Sequence, residues 1–166
     1  MKGGYSVNQE NSKKNVFKIV AIIAVVVVIL LLVINFSKNK GSDASRYESI
    51  MKSKGFTVEE VNSSEEVVTK SYNAINSSKN YTSGMNEMKS EDYASALYSE
   101  LFIGFYNKLS DDSSLAPETN KSDNTYTIES DNYYCILSVS GKNVCYILVP
   151  IGDKSVAEEI MNELGY

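Results

Sequence analysis

The chain carries no histidine and two cysteines, Cys135 and Cys145. Without imidazole there can be no His-based metal site, no Ser-His-Asp or Cys-His nucleophile and no His general base. No P-loop, G-x-G-x-x-G or C-x-x-C pattern is present, so nucleotide and dithiol chemistry lack their usual signals. What remains is carboxylates. Glu59-Glu60, Glu65-Glu66 and Glu158-Glu159 are adjacent pairs. Neighbours in sequence point in different directions on a strand or a helix, whereas acid-base work on a glycosidic bond needs two carboxyls facing each other across the substrate. These pairs therefore read as solvated surface. Asp111, Asp112, Glu118 and Asp123 share the polar stretch Ser110–Asn124 with Pro117, but the alternating acids and central Gly of an EF-hand loop are missing. No catalytic residue, metal ligand, cofactor-binding residue or cofactor is expected.

Twelve tyrosines without a tryptophan are the other chemical peculiarity. An exposed Tyr patch would suit recognition of sugars or peptides. Tyr93, Tyr98, Tyr133 and Tyr146, however, fall on expected apolar faces, so core packing accounts for them first. The two thiols depend on strand register. Gly141-Lys142 has Gly at the first position of a two-residue turn, as a type II′ hairpin requires. That register sets Cys135 opposite Leu148 and Cys145 opposite Ser138, on opposite faces, where a disulfide is geometrically poor.

The elements that would position these groups form an α+β pattern. Ser45-Arg46-Tyr47-Glu48 fits a capping box before a short helix ended by Gly55. Phe56–Val61 alternates as a strand, and the β-branched run Val67-Val68-Thr69 with the break Asn76–Asn80 before Tyr81 indicates a hairpin. Ser90 caps the strongest helix, with Ala94, Leu97, Tyr98, Leu101, Phe102, Phe105 and Leu109 recurring every three or four residues. Ser110–Asn124 reads as a loop. A meander of three strands follows (124–130, 132–140 and 143–151), with the Tyr133, Cys135, Leu137 and Val139 face as core and the Tyr134, Ile136, Ser138 and Ser140 face as the outer one. Asp153 then caps a last helix that Gly165 ends. Ile50-Met51-x-x-x-Gly55-Phe56 and Ile160-Met161-x-x-x-Gly165-Tyr166 match in form. Shared helix-exit chemistry explains the match. A pseudo-repeat of two helix-then-sheet units would also produce it, and would tuck Tyr166 against the core.

Ahead of this domain, every residue from Ile19 to Ile34 is apolar. Residues 16–36 as a helix would rise roughly 31 Å, about the hydrocarbon thickness of a bilayer. The run is longer than a signal-peptide core and is followed by Asn35-Phe36-Ser37-Lys38 rather than a small-residue cleavage site. It also has no polar face, so it does not read as a buried globular helix. The organisation expected is a disordered cytoplasmic tail (1–15), a transmembrane helix (16–36), a tether (37–44) and an extracytoplasmic α+β domain (45–166). Its antiparallel sheet has about five or six strands packed by two or three helices. Up to Asp43 the chain holds six Lys and two acids, a net of +4; with −5 overall, Ala44–Tyr166 carries −9. An acidic domain argues against nucleic acid, and basic residues beside the span suit anionic headgroups.

Basic residues flank the span on both sides, so their count does not orient it. A short leading tail and a long following segment favour a single-pass signal-anchor with the N-terminus cytoplasmic and the C-terminal domain extracellular. Asn and Ser supply 40 of the 166 residues, alongside abundant Lys, Ile and Tyr, a bias of AT-rich bacterial genomes. The expected function is a non-catalytic binding or interaction module of the bacterial cell envelope, held at the plasma membrane. Its partners are the lipid bilayer through residues 16–36 and a protein or cell-envelope component. Two alternatives are a carboxylate-dependent enzyme on cell-wall polysaccharide and a single-pass sensor working through a partner.

Overall fold

The computed structural model describes residues 44–63 and 65–166, so the expected tail (1–15), span (16–36) and all but the last residue of the tether lie outside the described residues. Among the described residues no helix is long and apolar enough to cross a membrane. In chain order the elements are α1 (Ala44–Ser53), β1 (Thr57–Glu60), β2 (Val68–Asn76), β3 (Tyr81–Met88), α2 (Glu91–Asp111), β4 (Glu118–Ser122), β5 (Thr125–Glu129), β6 (Tyr133–Ser140), β7 (Asn143–Pro150), a 3-10 turn (Ile151–Asp153) and α3 (Lys154–Leu164). The strands form one antiparallel sheet in the order β1-β2-β3-β7-β6-β5-β4. This is an α+β domain with seven strands and three helices.

Seven strands replace the expected five or six because Ser110–Asn124 is not all loop. Glu118–Ser122 pairs with β5 through a turn at Asp123-Asn124, in which Asp123 takes a left-handed φ of 46°. Every residue of β4 is exposed, so it has no apolar alternation to betray it. The β6–β7 hairpin follows the expected register, with Cys135 opposite Leu148 and Ser138 opposite Cys145. Gly141 has φ of 56°, while the non-glycine residues of positive φ among those described are Asn80 and Asp123; Lys142 keeps the negative φ of a type II′ turn.

Both faces of the sheet are buried, and this corrects the assignment of the Tyr134 and Ile136 face as the outer one. That face, with Cys145, Ile147 and Val149 from β7 and Tyr72, Ala74 and Met85 from β2 and β3, lies under α1 and α3. The opposite face, with Cys135, Leu137, Val144, Tyr146 and Leu148, lies under α2. Tyr98 and Phe102 of α2 stack on Tyr126 at 5.2 and 4.2 Å between ring centroids, and Phe105 meets Tyr146 at 4.9 Å. Beneath Tyr146, β3 carries Gly84, where a Cβ would stand 2.5 Å from the tyrosine Cε1. The strand gives up a side chain so that an aromatic can lie flat on its backbone.

α1 starts at Ala44, one residue ahead of the expected capping residue Ser45, and Glu48 accepts from Lys52 at 2.7 Å. Asp153 precedes α3 but makes no capping bond; its side chain engages the Tyr81 hydroxyl. Ser90 does cap α2, accepting from the Tyr93 amide at 3.3 Å. The matched exits are two copies of one motif. The Phe56 and Tyr166 amides donate to Met51 and Met161 carbonyls at 3.0 Å each, and Gly55 and Gly165 take φ of 82° and 88°. This six-to-one closure is the Schellman arrangement. α1 precedes its strands whereas α3 follows its own, so the chain is not two helix-then-sheet units, although Tyr166 does pack against the core. The helices lie together: Arg46 Nη2 donates to the Glu163 carbonyl at 2.6 Å, and Lys54 bridges Glu159 and Glu163 at 2.8 and 2.6 Å.

Candidate functional site

At one end of the sheet β3 and β6 begin, β7 finishes and the C-terminal end of α2 arrives. A cleft of about 460 Å³ opens there, lined by Asn80, Asp112, Asn132, Tyr133 and Pro150. Each arrives for a local reason. Asn80 closes the β2–β3 turn with φ of 58°, a left-handed value that Asn adopts more readily than most residues. Asp112 is the residue on which α2 ends, its amide donating back to the Lys108 and Ser110 carbonyls. Asn132 sits in the tight β5–β6 turn, where the Ser130 amide donates to the Tyr133 carbonyl at 2.9 Å. Pro150 pairs with Tyr133 as the last residue of β7.

Hydrogen bonds fasten these pieces to one another. Asn80 Nδ2 donates to the Tyr133 hydroxyl at 3.3 Å, and Asn132 Nδ2 donates to the Asp112 carbonyl at 3.1 Å. The Ile151 amide donates to the Asn132 carbonyl at 2.9 Å. Behind the cleft, Asp131 Oδ2 accepts from the Ser114 hydroxyl at 2.6 Å and its amide at 3.1 Å, while the Asp131 amide donates to Ser113 Oγ at 3.3 Å. The Ser114 hydroxyl, then the Ser114 amide and the Ser113 hydroxyl, hold the Asp131 carboxyl below the ordinary aspartate value. The chain leaving α2 is thereby tied to the β5–β6 turn.

Of the carboxylates singled out in the sequence, only Asp112 lines the cleft. Glu59 and Glu60 lie exposed on the edge strand β1, Glu65 and Glu66 precede β2, and Glu159 faces Lys54 on the far side of the sheet from α2. Asp111, Glu118 and Asp123 are exposed outside the cleft lining. Among the described residues no group of three or more His, Cys, Asp and Glu is placed to hold a metal ion. Cys135 and Cys145 are free, fully buried and on opposite faces, and burial pushes both thiols far above their ordinary value. Tyr98 is buried, and Tyr133 and Tyr146 are partly buried, on the faces expected, but Tyr93, in the first turn of α2, is 46 % exposed.

The cleft itself was not visible in the sequence, because its five residues come from the ends of different elements and share no motif. Comparison of the chain with family models, with curated proteins and with solved structures finds no match.

Proposed function

We propose that this protein is a non-catalytic binding module of the bacterial cell envelope, with the α+β domain held outside the plasma membrane by a single span at residues 16–36. The observation that carries the binding half is the chemistry of the cleft: hydrogen-bonding side chains, an aromatic and a proline around a single acid. Such a lining orients a ligand, whereas hydrolysis of a glycosidic bond needs a second carboxyl facing the first. The anchoring half rests on the apolar run of the sequence and on the contrast between basic residues around the span and a net of −9 beyond it.

Two measurements on the full chain test it. Protease added to intact cells should remove the domain and leave a protected fragment containing residues 16–36; protection until lysis would reverse the orientation. Incubation with envelope polysaccharide should retain polymer without releasing new reducing ends. Their appearance, abolished by Asp112→Asn, would make the protein an enzyme instead.

A further inference from the structure

We infer that the cleft at the end of the sheet takes a neutral saccharide, one residue of a polyhydroxyl polymer. This inference rests on the binding-module reading and gives it a ligand class. Some of the hydrogen-bonding groups of the cleft are already committed within the protein. Asn80 and Asn132 each spend one Nδ2 hydrogen within the protein, on the Tyr133 hydroxyl and the Asp112 carbonyl. Each amide is thereby oriented, and it has its Oδ1 acceptor and its second N–H to offer a ligand. The Asp112 carboxylate is likewise an acceptor. The Tyr133 hydroxyl, having accepted from Asn80, keeps its own hydrogen to donate.

A lining that offers three acceptor side chains and three donors fits a ligand whose groups both donate and accept, as vicinal hydroxyls do. Phosphate and carboxylate ligands bring only acceptors and would meet Asp112 with no cation among the lining residues. The apolar part of the lining, the Tyr133 ring and Pro150, suits the C–H faces of a pyranose. About 460 Å³ lies within the range of small-ligand clefts. The site is also preorganised: Asn80 is fixed in a left-handed conformation, and Asp131 clamps Ser113 and Ser114 behind Asp112. Less ordering cost is then left for the binding step.

The test uses the full chain in lipid nanodiscs and ligand-observed NMR, which reads weak binding. Its probes are a neutral oligosaccharide of N-acetylglucosamine, a neutral glucan oligosaccharide and, as the cationic rival, spermidine. Saturable binding of a neutral sugar that survives high salt is expected, and Tyr133→Phe should weaken it roughly fivefold to tenfold, the worth of one hydrogen bond. Asn80→Gly should weaken it similarly while keeping the fold, because glycine accepts the same φ. If neither sugar binds, or if sugar binds equally well to both variants, the inference is overturned. Spermidine binding that salt abolishes, without sugar binding, would make this a cation site and also overturn it. Neither result touches the binding-module reading, which fails separately if reducing ends are released from polymer.

Discussion

At the residue scale, one pair of buried hydroxyls is linked through the core. Tyr47 donates to Ser83 Oγ at 2.9 Å, and Ser83 donates to the Tyr146 carbonyl at 2.6 Å, so a buried hydroxyl pair is satisfied beneath α1. On the opposite face the Tyr146 ring occupies the space that a side chain at Gly84 would need. Gly84→Ala should therefore destabilise the domain by about 1–3 kcal/mol through overpacking, although alanine suits a strand no worse than glycine. Thermal melts of Gly84→Ala with and without Tyr146→Ala check this: the second change should make the first nearly free, and an additive pair would mean that the ring is not the obstacle. Neither this contact nor the cleft could be read from the sequence. A glycine within a strand signals some close approach without naming the partner, and Asn80, Asn132, Tyr133 and Pro150 meet only through the topology. Asp112 was visible as an acid in a polar stretch, but not as the end of a helix.

At the element scale, periodicity served where one face of an element meets solvent and failed where none does. α2 reads clearly as a helix because exposed Ser95, Ser99 and Lys108 interrupt its apolar stripe. The runs Tyr133–Val139 and Val144–Val149 are almost continuously apolar, the pattern of strands buried on both sides, so neither face is an outer one. At the other extreme β4 is polar throughout and carries no pattern at all. The stripe on α2 is not uniformly buried either. Leu109 is 1 % exposed beside Ile128 and Cys135, while Leu101 is only partly covered. Leu109→Ala should cost about 2–5 kcal/mol, and Leu101→Ala clearly less, since a partly exposed side chain loses less transfer energy and leaves no closed cavity. Chemical denaturation of the two variants ranks them; equal losses would mean that Leu101 is covered by something beyond the described residues.

At the scale of the whole molecule, burial of phenols links stability to pH. Tyr47, Tyr98 and Tyr166 are raised well above the ordinary tyrosine value, in each case chiefly by burial. A group raised in the folded state stabilises the fold in its protonated form, so this contribution is whole below about pH 10, the unfolded value, and is lost as pH rises toward the folded ones. Lys54 moves the same way, held up mainly by its bonds to Glu159 and Glu163, so its pairing with α3 also weakens on the alkaline side. The acid side is governed by Asp131 and Glu159, lowered respectively by the Ser114 hydroxyl and by Lys54. Their contribution is present above the ordinary carboxylate range, about pH 4, and fades as pH falls through the lowered values. A plateau from roughly pH 5 to 10 should result, with a cooperative alkaline loss at its upper edge. Phenolate absorbance from Tyr47, Tyr98 and Tyr166 should rise only well above pH 10, together with loss of circular dichroism. A single wave near pH 10 with the dichroism unchanged would mean that Tyr47, Tyr98 and Tyr166 are open to water, and would remove the packing of α1, α2 and α3 on the sheet as the cause.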